Sequence, residues 1–234
     1  MSKPDQPSAT PAGSPRQPAL PYIICVDLND QWVCVVGGGK VAARKVESLL
    51  EAGAKVHIIA HDLCDDLANC LADPACQDRL VWHRESYHRN LPPGIRLAVA
   101  CTDNREVNRQ VRNDCRTANV LCNVVDDPEL CDFILPAVRR LGRVQIAVST
   151  AGSSPSMARG LADYLAGQVD PTVPELAQLL AEIRLEVQTQ IPDTAKRKEL
   201  YGTLCSEQSL NTLKKSSKDG WRQWYQQQLA RLRG

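Results

Sequence analysis

Gly37-Gly38-Gly39-Lys40-Val41-Ala42 follows an apolar run and opens a helical period, giving the pattern G-x-G-x-x-A between strand and helix. In that setting Gly37 permits a tight turn, Gly39 lets the backbone approach a pyrophosphate, and Ala42 lets helix pack closely on strand. The first N–H groups of the helix are then offered to an anion, so the natural ligand is a dinucleotide. Gly38 has no packing reason to be glycine and counts toward the same ligand. Further along, Cys122-Asn123-Val124-Val125-Asp126-Asp127 ends an apolar run with two adjacent carboxylates. Consecutive residues leaving a strand point to opposite sides, so only one of the pair readily faces a crevice at the strand's end. Asp126 is read as that residue, able to act as a general base beside a nicotinamide. Asp127, before Pro128, suits an Asx turn.

Two other strand tips carry polar residues. The acid that binds ribose hydroxyls is expected about 20 residues past the glycines. Ile59-Ala60-His61-Asp62 supplies Asp62 slightly late, so it either fills that role or caps the next helix. No arginine stands at this tip to hold a 2′-phosphate, which favours NAD over NADP, and His61 lines the adenosine side. Ala100-Cys101-Thr102-Asp103-Asn104 offers Thr102 and Asp103 either as helix caps or as contacts to the nicotinamide half.

Alternating elements must position these tips. Residues 1–20, rich in Pro, Ser, Ala and Gly, are expected to be a disordered tail. Strands are expected at 22–26 and 32–36, a helix at 40–52, a strand at 55–60, a helix at 62–71, strands at 79–83 and 95–101, a helix at 106–117 and a strand at 120–125. That alternation implies right-handed crossovers and an α/β, Rossmann-type doubly wound parallel sheet over residues 21–132. The rhythm then changes. Apolar runs at 133–138 and 144–149 are joined by Arg139-Arg140-Leu141-Gly142-Arg143, too short a link for a parallel crossover, so they should pair as a hairpin. Ser154-Pro155 starts a helix running to about Gly167, completing a unit of 133–170. Residues 171–234 read as all-helical. Val173, Leu176, Leu179, Leu180, Ile183, Val187 and Ile191 draw one apolar stripe, and Trp221, Trp224 and Tyr225 cluster near the end.

Composition narrows the function classes. The 234 residues can hold one large domain or two unequal ones, and a formal charge of +1 gives no bulk attraction to nucleic acid or a membrane surface. No apolar run is long enough to span a membrane and the N-terminus lacks a secretory layout, so a cytoplasmic location is expected. The ten cysteines read as reduced, mostly buried thiols. Cys64, Cys70 and Cys76 contain no C-x-x-C pair and are taken as structural, so no resident metal is expected. His83 and His88 read as surface residues.

Four ordered blocks carry a resemblance: VVGGGKVAARKVESLLEAGAKV, ACTDNREVNRQV, LCNVVDDPELCDFILPA and VQIAVSTAGSSPSMARGLADYL. Over about Val33 to Leu165 the chain closely resembles precorrin-2 dehydrogenase, the NAD-dependent module of siroheme synthase, which often also has sirohydrochlorin ferrochelatase activity. The resemblance continues more faintly in the spacing of Arg184, Val187, Ile191, Arg197 and Tyr201. It implies that NAD⁺ takes hydride from precorrin-2 to give sirohydrochlorin, with Asp126 as the key catalytic residue. In bifunctional members that aspartate also assists insertion of ferrous iron, here a co-substrate if the second activity is present. Cofactor contacts are implied at Gly37, Gly38, Gly39, Lys40, Val41, His61, Asp62, Thr102, Asp103 and Asn123. The hairpin and its helix are implied to form a homodimer, with the tetrapyrrole bound between them, the helical domain and the sheet edge.

Such a substrate carries many carboxylates, which suit arginine forks. Arg139, Arg140, Arg143 and Arg159 lie in the segments implied to border the site. The loop Ser149-Thr150-Ala151-Gly152-Ser153-Ser154 either hydrogen-bonds propionates, through Ser149, Thr150 and Ser153, or simply caps the helix. No counterpart of the methyltransferase half of the longest members is seen, so methylation is expected from another protein. The rival from a different class is a non-catalytic NAD-sensing regulatory module, which leaves Asp126 and the arginine-bearing hairpin unexplained.

Overall fold

The computed structural model describes residues 20–233, so the tail expected over 1–20 lies almost wholly outside the described residues. The chain divides after Ile134 into two compact units. The first contains β1 (Trp32–Val36), α1 (Lys40–Glu51), β2 (Lys55–Ile59), α2 (Asp65–Ala72), β3 (Leu80–His83), β4 (Ile95–Ala100), α3 (Arg105–Thr117) and β5 (Leu121–Val124). All five strands are parallel, in the order β3-β2-β1-β4-β5. Val36 pairs with both Ile59 and Ala100, and Ala100 with Val124, so the carboxyl tips of four strands end in line. The chain reverses its winding between β1 and β4, the place where such sheets leave a crevice.

The alternation of strand residues decides which helix covers which face. Val33, Val35, Val56 and Ile58 turn toward α1 and α2, where they meet Ala42, Val46, Leu49 and Leu67. Cys34, Val36, Ala98, Ala100, Cys122 and Val124 turn the other way, onto Val111 and Cys115 of α3. The expected strand at 22–26 does not form. Tyr22, Ile23, Ile24 and Val26 are exposed, and β1 already has β2 and β4 on its two sides. α2 starts at Asp65 rather than 62, because the preceding residues bend over the glycine turn: the Cys64 N–H donates to the Gly38 carbonyl at 2.8 Å.

No helix lies between β3 and β4, and polar aromatic side chains occupy that part of the sheet. Trp32 stacks on His57 with ring centroids 4.4 Å apart, and His57 Nδ1 lies 2.8 Å from His83 Nε2. His83 is therefore half-buried rather than a free surface residue; His88 is exposed. Burial, with a smaller contribution from His83, lowers the pKa of His57 below its usual value of 6.5. The unfolded chain then takes up this proton more readily than the fold, so the stability tied to neutral His57 is present above about pH 6.5 and declines below it. We expect melting temperatures between about pH 5 and 8 to fall less steeply on the acid side for His57→Gln than for the wild type. Parallel curves would rule this out.

The cysteines are all free. Burial pushes the thiols of Cys34 and Cys101 up to about 12, and the hydrogen bond with Cys115, together with burial, raises that of Cys122. Cys25 and Cys205 are exposed.

The second unit begins with an antiparallel hairpin, β6 (Ala137–Leu141) and β7 (Val144–Val148). Arg139, Arg140 and Leu141 belong to β6, so the link expected over 139–143 shrinks to Gly142-Arg143, with Gly142 at φ 57° as a two-residue turn demands. α4 (Pro155–Gln168) is capped as expected, with Ser154 Oγ accepting from the Met157 N–H at 3.2 Å. α5 (Thr172–Gln190), α6 (Thr194–Leu204) and α7 (Glu207–Arg233) complete the unit; Ser217, at φ 63°, breaks α7. Leu176, Leu179, Ile183, Val187 and Ile191 of the apolar stripe are buried against Leu200, Leu204, Trp221 and Tyr225. Trp221 keeps its indole N–H satisfied by donating to Ser209 Oγ at 2.8 Å.

Candidate active site

Three strand tips converge on one cleft of about 420 Å³ in the first unit, lined by Val41, Cys101, Thr102, Asp103, Arg105, Asn108, Val125, Asp126 and Asp127. The glycine turn borders it. Gly37 sits at φ 130°, and a Cβ there would fall 2.7 Å from the Cys101 carbonyl oxygen, so only glycine lets β1 and β4 tips approach. Gly38 is also fixed by packing, contrary to the sequence reading: a Cβ would lie 1.9 Å from the Asp62 carbonyl oxygen. Gly39 differs, since nothing lies within 4 Å of where its Cβ would be. It is the N-cap of α1, makes no side-chain cap, and has no acidic residue in the turn that follows. The first amides of α1 therefore face open space with neither a capping oxygen nor a carboxylate competing for them, which fits a dinucleotide pyrophosphate.

Asp126 and Asp127 both line the cleft, where strand alternation predicted only one. Asp126 has φ 61°, a left-handed conformation that interrupts the alternation at the strand's end. Asp127 does not make the expected Asx turn. Its Oδ2 accepts from Arg105 Nε at 3.1 Å and lies 3.0 Å from Nη2, while the turn closes through the backbone, Leu130 N–H to Asp127 carbonyl at 3.1 Å. Asp127 is thus held by a two-pronged cation and Asp126 is left exposed at the cleft. Arg105 carries no motif, and its i-to-i+22 partnership with Asp127 appears only once β4 and β5 pair. Lys45, one turn beyond Val41 on α1, has its pKa lowered by burial, with Asp126 among the nearby groups that oppose this.

The β4 tip is organised by Asn108 rather than capped by its leading residues. Thr102 Oγ1 donates to Asn108 Oδ1 at 2.8 Å, Asn108 Nδ2 returns to the Thr102 carbonyl at 2.9 Å, and Asn104 is the true cap, accepting from the N–H groups of Glu106 and Val107. Asp103 is exposed in the cleft wall. Asn123 is buried at 8 % exposure and donates to the Phe133 carbonyl at 2.9 Å, turned into the fold rather than toward the cleft. His61 is exposed, with Nε2 2.6 Å from Ser86 Oγ. Asp62 caps nothing, since the N-cap of α2 is Cys64. An arginine does stand beside it: Arg84, from the neighbouring tip, lies 3.9 Å from Asp62 and 5.5 Å from the Trp82 ring centre.

The carboxylate-binding candidates lie in the second unit. Arg139 pairs with Asp163, Arg143 Nε donates to Gln178 Oε1 at 2.7 Å, and Arg159 is exposed on α4. Thr150 Oγ1 donates to the Ser154 carbonyl at 3.1 Å, Ser149 Oγ accepts from the Ala151 N–H, and the Ser153 N–H donates to the Thr150 carbonyl. Among the described residues no group of three or more His, Cys, Asp and Glu could hold a metal ion, and no helix is long and apolar enough to cross a membrane.

Comparison with known proteins agrees with this geometry. Residues 24–137 match a family model described as "Putative NAD(P)-binding", and the glycine turn and the cleft fall within the matched segment. A siroheme synthase of Actinobacillus pleuropneumoniae serotype 3 (strain JL03) is 33 % identical over 190 residues, 81 % of this chain and 38 % of that protein. One from Thioalkalivibrio sulfidiphilus (strain HL-EbGR7) is 36 % identical over 191 residues, 78 % of this chain and 37 % of that protein. The chain thus spans well under half the length of these relatives. A solved structure named "SirC, precorrin-2 dehydrogenase" superposes with a TM-score of 0.71 at 23 % identity, covering 90 % of this chain and 99 % of its own, and shares the fold.

Proposed function

We propose, from the premise that this chain is homologous to a part of the siroheme synthases, that it oxidises precorrin-2 to sirohydrochlorin with NAD⁺ as the acceptor. The observation that carries the reading is the pairing, within one unit, of an open glycine cradle at the β1 tip with an exposed carboxylate, Asp126, at the β5 tip. Bound NAD⁺ supplies the hydride acceptor. In this reading Gly39 and the first turn of α1 hold the pyrophosphate, Thr102 and Asp103 flank the nicotinamide half, and Asp126 takes the proton that leaves the substrate as the hydride departs. The substrate loses one hydride and one proton, and Asp127 stays clamped by Arg105 and takes neither. NAD rather than NADP is part of the proposal, although Arg84 near Asp62 makes the choice one for measurement.

Arg139, Arg143, Arg159 and the Ser149–Ser154 loop are proposed to meet substrate carboxylates. A homodimer is proposed through the hairpin and α4, whose Met157, Leu161, Tyr164 and Leu165 form an exposed apolar stripe at i, i+4, i+7 and i+8. A cytoplasmic setting completes the reading.

Purified protein mixed with NAD⁺ and enzymically made precorrin-2 is expected to develop the absorbance of sirohydrochlorin, and light scattering should give the mass of two chains. Intact NAD⁺ binding without turnover would leave an NAD-sensing module instead. Running the assay with NADP⁺ tests the coenzyme. Adding a ferrous salt to the product-forming mixture, with and without protein, tests whether iron is a co-substrate.

A further inference from the structure

Two sulfurs meet where α2 hands the chain on to β3. Cys70, in the last turn of α2, donates its S–H to Cys76 Sγ at 3.7 Å across the turn of residues 73–79. Cys76 belongs to the core beneath α1 and α2 and is 9 % exposed, whereas Cys70 is half-buried at its margin. The turn between them is held by its own backbone. The Cys76 N–H donates to the Asp73 carbonyl and the Arg79 N–H to the Cys76 carbonyl, both at 2.9 Å, while Asp73 Oδ1 accepts from the Ala75 N–H at 2.9 Å. Arg79 then ties the turn to its surroundings, with Nη1 on the Leu50 carbonyl at 2.9 Å and its own carbonyl accepting from the Val56 N–H at 2.7 Å. The sulfurs are thus brought together by the fold.

A disulfide requires sulfurs about 2.05 Å apart, so closure asks only for side-chain rotation within a loop already formed. Other thiols lack one of the two requirements, a neighbour and a path to solvent. Cys115 and Cys122 are hydrogen-bonded to each other but fully buried, and Cys25 and Cys205 are exposed in separate units. Closure also has a structural consequence. β3 is an edge strand with no helix after it, and the bond would fasten its approach to α2. α2 runs back from the strand tips, so the pair lies at the amino edge of the sheet, opposite the cleft.

We propose that Cys70 and Cys76 are a reversible redox site, oxidised to an intrachain disulfide by low-molecular-weight disulfides. The Cys70 thiolate attacks one sulfur of the reagent, forming a mixed disulfide and releasing one thiolate. Cys76, its proton lost to solvent, attacks Cys70 Sγ and releases the second. Two protein thiols are oxidised, the reagent is reduced to two thiols, and those thiols take up the two protons. Burial, the bond to Cys76 and the neighbouring Asp73 and Glu47 carboxylates push the Cys70 thiol up to about 11. Exchange should therefore be slow at pH 7 and quicken about tenfold per pH unit below that value. The site rests on no step of the dehydrogenase reading.

The test uses the full chain carrying Cys25→Ser and Cys205→Ser, incubated with oxidised glutathione at about pH 9. It should lose the mass of two hydrogen atoms and retain no glutathione. After alkylation, cleavage before aspartates places Cys64, Cys70 and Cys76 on three peptides, and those of Cys70 and Cys76 should emerge joined. The oxidised chain should melt about 5 °C higher, return to its first value with dithiothreitol, and bind NAD⁺ equally in both states. Cys70→Ser should show neither the mass loss nor the shift, and Cys76→Ser should instead hold one glutathione on Cys70. Unchanged mass, a bond joining other cysteines, mass loss that survives Cys70→Ser, or oxidation that fails to raise the melting temperature would overturn the proposal.

Discussion

Asp126→Asn is expected to lower turnover of precorrin-2 by about 10²–10⁴-fold while leaving NAD⁺ affinity and melting temperature where they are. Asparagine is nearly isosteric with aspartate and tolerates the left-handed backbone, φ 61°, that Asp126 occupies. The change therefore removes a proton acceptor and little else. Alanine is a poorer probe, because a left-handed conformation costs such residues about 1–2 kcal/mol and would mix instability with lost chemistry. Asp127→Asn supplies the contrast. It weakens the contact to Arg105, and turnover should suffer far less. Should Asp127→Asn abolish sirohydrochlorin formation and Asp126→Asn spare it, the base is the clamped carboxylate and the proposed division of labour is reversed.

The glycine turn yields the second large effect, as a difference between neighbours. Gly39→Ala should fold normally, since a methyl group there meets nothing within 4 Å, yet that methyl would stand where the pyrophosphate must approach. NAD⁺ affinity should fall by about tenfold or more with melting temperature unchanged. Gly38→Ala should instead cost stability, because its methyl would lie 1.9 Å from the backbone oxygen of Asp62 and the bend leading into α2 must move. Overpacking of this kind costs about 1–3 kcal/mol, and nucleotide binding should fail with it. Calorimetry and thermal melts on both variants read the two outcomes separately. Equal melting temperatures for both would mean that the Gly38 contact is not a constraint.

The parallel sheet was legible because its cues are local: apolar runs of strand length, helical periods between them, and a glycine cluster at the first turn. The helical stripe ending at Ile191 was legible for the same reason. What escaped the sequence depends on partners far along the chain. Gly38 looks free of packing until the Asp62 bend closes over it. Asp127 looks like a turn residue until Arg105 arrives from the start of α3, the crossover before β5. His83 reads as surface until β2 places His57 beside it. The run at 22–26 has strand-like residues but no open sheet position next to β1. At the candidate site, residue type and spacing located the strand tips, while the direction of each side chain was set by hydrogen bonds that no local pattern records, as with Asn123 reaching Phe133.

Because the thiolate is the nucleophile that attacks thiol reagents, the raised pKa values of Cys34, Cys101 and Cys122 make those sulfurs slow to react near neutral pH. Cys25 and Cys205 face solvent, one in each unit. Brief maleimide treatment would therefore settle dyes preferentially at one point per half of the molecule, without engineering a cysteine. Energy transfer between a donor and an acceptor at those points would gauge how far apart the halves stand, and whether a nucleotide draws them together.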